Sequence, residues 1–259
     1  MTEEPYRWVE AIANRREYIE TQLAPGSPIA ALSFRDGILF VTVGHARQKL
    51  FEIYDRIAMG AIGHPGDIER LRLAAIELAS TEGFTRSATD VSLRRLAYYS
   101  LSPLLKSAFE QIYGPPFLAR MIFAEVGATA ADDLFLRVDY DGAIVANGRA
   151  TDTNPPRFSA VGGTARATEI MDALLRRDHD SGHTLNRAMT IALDAWTAGS
   201  LGADQSSGNE VPSQQTLAEH RTQKLKDATV EACVLERKNQ GPICYRPILG
   251  EELKELIKA

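Results

Sequence analysis

Cysteine is nearly missing from this 259-residue chain: only Cys233 and Cys244 occur. Two thiols cannot build the framework of a small disulfide-stapled secreted domain, so reduced thiols packed across the last hairpin are expected. Basic charge is not in excess either. Lys and Arg number 29 against 34 Asp and Glu, a net of -5, whereas a general nucleic-acid binder carries a basic surplus. No apolar run approaches the roughly 20 residues of a membrane span. The first ten residues are polar and acidic, unlike a secretory signal. No repeat of 20–50 residues is present. The expectation is a cytoplasmic protein without nucleic-acid or membrane partners.

What is there is ordinary globular material, 44% apolar and 24% charged. A chain of this length buries about three-quarters of its extended surface, enough for one large domain. A helix is predicted over 5–23, with Pro5 in its first turn and Trp8, Ile12 and Ile19 on one stripe. Pro25, Gly26 and Pro28 stop it. Two β-prone runs, 29–34 and 38–43, flank Asp36-Gly37 and predict a hairpin. Residues 51–62 read as further strand turning at Asp55-Arg56. Helices follow over 67–81, with Ile68, Leu71, Ala75 and Leu78 on one face, and over 90–113, with Asp90 as N-cap and Pro103 as a kink or split. Strands return at 117–126, 134–140, 143–146 and 158–161. Helices are predicted over 164–177 and 181–197, and an exposed loop over 200–226. A closing hairpin (227–236 and 243–246) and a short helix (251–258) end the chain.

Strands gathered by hairpins and helices arriving in pairs argue α+β, not βαβ alternation. The packing predicted is a four-layer αββα sandwich, two antiparallel sheets flanked by helix pairs, as a single domain over 1–259 with an extra N-terminal helix. Two motifs invite chemistry and have plainer readings. Gly162-Gly163-Thr164 follows a strand and opens a helix, but lacks the phosphate-loop pattern and reads as a tight turn. Asp178, His179, Asp180 and His183 offer four ligand types in six positions, yet sit at a helix–helix junction where capping is the expected role. Neither a metal nor a cofactor is predicted.

Five stretches taken in order carry a family resemblance: ALSFRDGILF (31–40), KLFEIYDR (49–56), AIGH (61–64), FSAVGGT (158–164) and ACVLE (232–236). Together with the initial helix they resemble the α-type subunit of the 20S proteasome, particularly the actinobacterial type. The loop over 200–226 is longer than usual for that family. The resemblance implies a non-catalytic subunit that stands with copies of itself in a seven-membered ring, stacks on β subunits, gates substrate entry and docks an activator. It implies that Lys49 pairs with the C-terminal carboxylate of a ring-shaped ATPase or other activator, beside the main chain at Gly63 and His64. It also implies that Met1, Thr2, Glu3, Glu4 and Pro5 obstruct the entry pore until an activator displaces them.

The β subunits of that family cut with an N-terminal threonine whose own amine is the base. The matching position here is Ser27, after Gly26, which keeps open an alternative: a self-processing N-terminal-nucleophile hydrolase using Ser27. Against it, Pro28 follows and the acidic position falls on Val43. A hydroxyl without a free amine or acidic partner stays a weak nucleophile, so a helix-to-strand connector is the expected role. Thr2 lacks the strand pattern such a site requires.

Overall fold

A computed structural model describes residues 4–45, 47–111, 113–146, 155–204, 211–238 and 241–258, with the main chain alone at 4–6, 203 and 204. Its strands form two five-stranded sheets, antiparallel throughout. The first has the order β10 (Tyr245–Ile248), β9 (Thr229–Glu236), β2 (Gly37–Gly44), β1 (Ile29–Phe34), β8 (Phe158–Val161). The second runs β3 (Leu50–Tyr54), β4 (Ile57–Gly63), β5 (Ala119–Glu125), β6 (Leu134–Val138), β7 (Ile144–Ala146).

Period-two alternation explains the layers. In β1, Ile29 and Ala31 turn towards the second sheet, and Ala30, Leu32 and Phe34 turn outward. In β5, Ile122 and Ala124 face inward and Met121 and Phe123 outward. The strands are apolar on both faces because both faces are covered. Outside the first sheet lie α5 (Ala165–Asp178), α6 (Leu185–Asp204), α7 (Gln214–Lys224) and α8 (Gly250–Lys258). Outside the second lie α2 (Pro65–Thr85), α3 (Leu93–Leu96) and α4 (Ser102–Glu110). The expected αββα sandwich is what forms. The N-terminal helix α1 (Glu4–Leu23) forms too, packing Ile19 and Leu23 on Phe109 and Tyr140.

Several local expectations need correction. The stretch 200–226 is not one exposed loop: α6 runs to Asp204 and α7 occupies Gln214–Lys224, capped by the Ser213 hydroxyl on the Thr216 N–H. The predicted helix over 90–113 begins later, with Ser92 rather than Asp90 accepting the capping N–H. It then passes through a π turn, Ala97–Leu101, before α4, where Pro103 occupies the first turn and has no N–H to donate. On α2 the fourth core position is Ala79, and Leu78 lies partly exposed. Trp8 is half exposed, so the buried stripe of α1 is confined to its C-terminal half. Cys233 lies opposite Pro247 and Cys244 beside Glu236, so the two buried thiols do not face each other.

Among the described residues, no helix is long and apolar enough to cross a membrane.

Candidate functional site

Strand register brings Lys49 and Gly63 to one end of the sandwich. Gly44 ends β2 opposite Thr229, where β9 begins. Gly63 ends β4 opposite Ala119, where β5 begins. Lys49 stands just before β3, its carbonyl accepting the Ala61 N–H at 3.1 Å. Ala61 is two residues from Gly63, about 7 Å along an extended strand. Ser27 and Gly26 sit at the same end, in the connection from α1 to β1; a Cβ on Gly26 would lie 3.3 Å from Ile62.

Lys49 is partly buried, with its ammonium over Gly44: a Cβ placed on Gly44 would be 3.6 Å from Nζ. Burial lowers the lysine's pKa and the negative charge of Glu231 pulls it back up. Glu231 was not singled out from sequence. Its carboxylate accepts the main-chain N–H of Lys49 at 3.0 and 3.1 Å and that of Leu50 at 2.9 Å. Burial raises the pKa of Glu231, opposed by those two hydrogen bonds and by the Lys49 charge. The signal was present in β9. Cys233 and Leu235 face the other sheet, and Glu231 shares their parity, an acid where alternation asks for an apolar residue.

Gly63 and His64 are exposed. His64 precedes α2, donating its N–H to the Leu118 carbonyl at 2.7 Å while its own carbonyl accepts from Asp67 and Ile68. Gly63 has φ +132°, and a Cβ there would fall 2.0 Å from the Leu118 carbonyl oxygen, so only glycine fits. The main chain at this corner is exposed and carries no side chain at Gly63. Two cavities meet at Gly44. One, of about 500 Å³, is lined by Arg47, Glu231, Tyr245 and Leu253 among others. The other, of about 640 Å³, is lined by Ser27, His45, Trp196 and Lys224 among others.

The Ser27 hydroxyl is committed on both sides. It donates to the Val43 carbonyl and accepts the Trp196 indole N–H at 3.0 Å. A hydroxyl proton held by a carbonyl is not being drawn off by a base, which is the arrangement nucleophilic attack requires. Trp196, within the helix predicted over 181–197, is a second residue that was not singled out from sequence.

The other motifs resolve as structure. Thr164 caps α5, accepting the Ala167 N–H, and Gly163 packs where a Cβ would be 2.3 Å from the Ala24 carbonyl oxygen. His179 hydrogen-bonds the Ser33 carbonyl through Nε2 at 2.9 Å, Asp178 pairs with Arg177, and Asp180 accepts the Gly182 N–H. Met1, Thr2 and Glu3 lie outside the described residues; Glu4 and Pro5 open α1.

The fold and this corner define a class: a four-layer αββα sandwich in which a lysine and bare main chain stand beside a committed serine. No family model matches the chain. Full-length relatives do. Proteins named "Proteasome subunit alpha" from Frankia casuarinae, Actinosynnema mirum and Parafrankia sp. are 33%, 32% and 31% identical. Each alignment covers 96% of this chain, and 93%, 85% and 92% of the respective relative. The chain belongs to the proteasome α-subunit family.

Proposed function

We propose that this chain is a non-catalytic ring subunit of a cytoplasmic 20S proteasome core particle, standing in a seven-membered ring of its own copies stacked on β subunits. Its corner at Lys49, Gly63 and His64 docks the C-terminal carboxylate of a ring-shaped ATPase or other activator. Met1, Thr2, Glu3, Glu4 and Pro5 serve as the entry gate.

The observation that carries the docking reading is the state of Lys49. Its ammonium feels the Glu231 charge without entering an ion pair among the described residues, and it lies over a glycine beside two cavities. A terminal carboxylate arriving there meets a cation with no ion pair to break among the described residues. The main chain at Gly63 and His64 lets the peptide behind that carboxylate approach closely. One such contact is weak, and several pockets engaged by one ring-shaped partner gain through effective concentration.

Lys49→Ala tests it. The variant should still assemble with β subunits, while activator-stimulated protein degradation falls by about tenfold or more, the loss of one charge-assisted contact per pocket. Stimulation at the wild-type level in the assembled variant would refute the assignment.

A further inference from the structure

β2 ends at Gly44 in one sheet and β3 begins at Leu50 in the other. β3 is an edge strand. Edge strands leave main-chain groups unpaired, and at this one the N–H groups of Lys49 and Leu50 go to a side chain instead. That side chain, Glu231, is 182 residues away from Lys49 in sequence and belongs to the opposite sheet. The Leu50 carbonyl is held as well, by the Tyr245 hydroxyl at 3.3 Å and the Gln48 amide at 2.8 Å.

We propose that Glu231 is a positioning residue for activator docking: its carboxylate clamps the Lys49–Leu50 main chain and so sets the ammonium over Gly44, the residue that the two cavities share. The inference rests on the docking reading of Lys49. Two features of the geometry support it. The carboxylate accepts three contacts from two amides, which fixes the lysine Cα against β9 rather than leaving it on a loop. Those amides occupy the carboxylate's acceptor sites while leaving its charge in place, and Glu231 does not close on the ammonium as an ion pair. The lysine thus stays near a negative charge that partly offsets the effect of its burial, and its N–H donors remain for an incoming carboxylate. A lysine locked to a side-chain carboxylate would have to break that pair before docking. One on an untethered loop would pay the entropy of ordering first.

The test uses the full chain assembled with its β subunit. The probe is a synthetic octapeptide carrying the C-terminal sequence of the particle's ring ATPase, made as the free acid and as the C-terminal amide. Binding is read by fluorescence anisotropy. The wild-type particle should prefer the acid. Glu231→Ala should weaken the acid about tenfold and leave the amide unchanged, so the preference collapses. Glu231→Gln should fall between, because its amide oxygen can still accept while its NH₂ opposes an N–H. An acid preference that survives in both variants overturns the proposal. So does a parallel loss of acid and amide binding, which would mark a general structural defect. If Glu231→Ala fails to assemble, the near-isosteric Glu231→Gln decides by the same ratio. Lys49→Ala run alongside separates the two ideas. Preference retained there sinks the docking reading and this inference with it; preference lost there but kept in the Glu231 variants sinks the positioning role alone.

Discussion

Gly63 shows how one missing side chain shapes the corner. Its φ of +132° is a conformation L residues rarely adopt, and an added Cβ would meet the Leu118 carbonyl oxygen at 2.0 Å and the Ala119 Cα at 2.9 Å. Those atoms belong to the neighbouring strand and its lead-in, so neither can swing aside as a flexible side chain would. Gly63→Ala must therefore part the end of β4 from β5 or distort its own backbone. The expected cost is about 2 kcal/mol or more, read as a lower urea midpoint with unchanged slope. An unaltered midpoint would show that the corner relaxes freely. Lys49 and Gly63 were legible only through the family resemblance, in the stretches KLFEIYDR and AIGH, since a lone lysine before a strand reads by itself as a surface charge. Glu231 was not legible, since its importance depends on which strand of the opposite sheet lies across from it. Parity within β9 marks it as inward-facing, but only the sheet order brings Lys49 to it.

At the scale of elements, α1 is fastened by its C-terminal half. Arg120 on β5 donates to both oxygens of Asp139 at 3.1 Å, to Glu20 of α1 at 2.8 Å, and to the Gly162 and Gly163 carbonyls at 3.3 Å. The Tyr140 hydroxyl also donates to Glu20, at 2.8 Å. Arg15 reaches from α1 to the Ala108 and Gly114 carbonyls, each at 2.9 Å. Arg120→Ala removes the hub and leaves two partly buried carboxylates and two carbonyls without their cation. Breaking a fully buried pair costs about 3–5 kcal/mol; with Asp139 and Glu20 partly exposed, about 2–3 kcal/mol is expected here. The sharper reading is local. Amide exchange should quicken in α1 while β1 and β2 keep their protection, and uniform quickening would mean that the hub holds the whole sandwich instead. Helices with a broad apolar stripe were legible in sequence; α7 was not. Its one buried residue among those described is Leu217, so it carries no stripe, and Ser213 was its only written mark. The π turn at Ala97–Leu101 was hidden for a different reason: Pro103 announces a lost hydrogen bond but not how the preceding turn widens to absorb it.

For the whole molecule, the two sheets share an apolar inner layer and each outer face is roofed by helices, an arrangement that hairpins and helix pairs announce in the sequence. Sequence said less about what remains uncovered. Val9 on α1 and Leu73 and Phe84 on α2 lie more than half exposed, the kind of surface that subunit contacts cover in an assembly. The anchoring of α1 bears on the proposed gate. A helix of 20 residues is about 30 Å long, and its fastened half ends at Leu23, so Glu4 and Pro5 open the end farthest from the Arg120 hub. A gate segment carried on that end, about a helix length from the hub, would shift without disturbing the sandwich. Its blocking effect would come only from several copies converging. Deleting residues 1–5 should therefore leave the fold and the assembled particle intact and raise hydrolysis of a small fluorogenic peptide severalfold in the absence of activator. Adding activator should then bring little further gain, because the obstruction is already gone. Basal hydrolysis equal to that of the wild-type particle would remove Met1 to Pro5 from the gate. It would leave the Lys49 corner untouched, since the two ends of α1 are separated by the helix's full length.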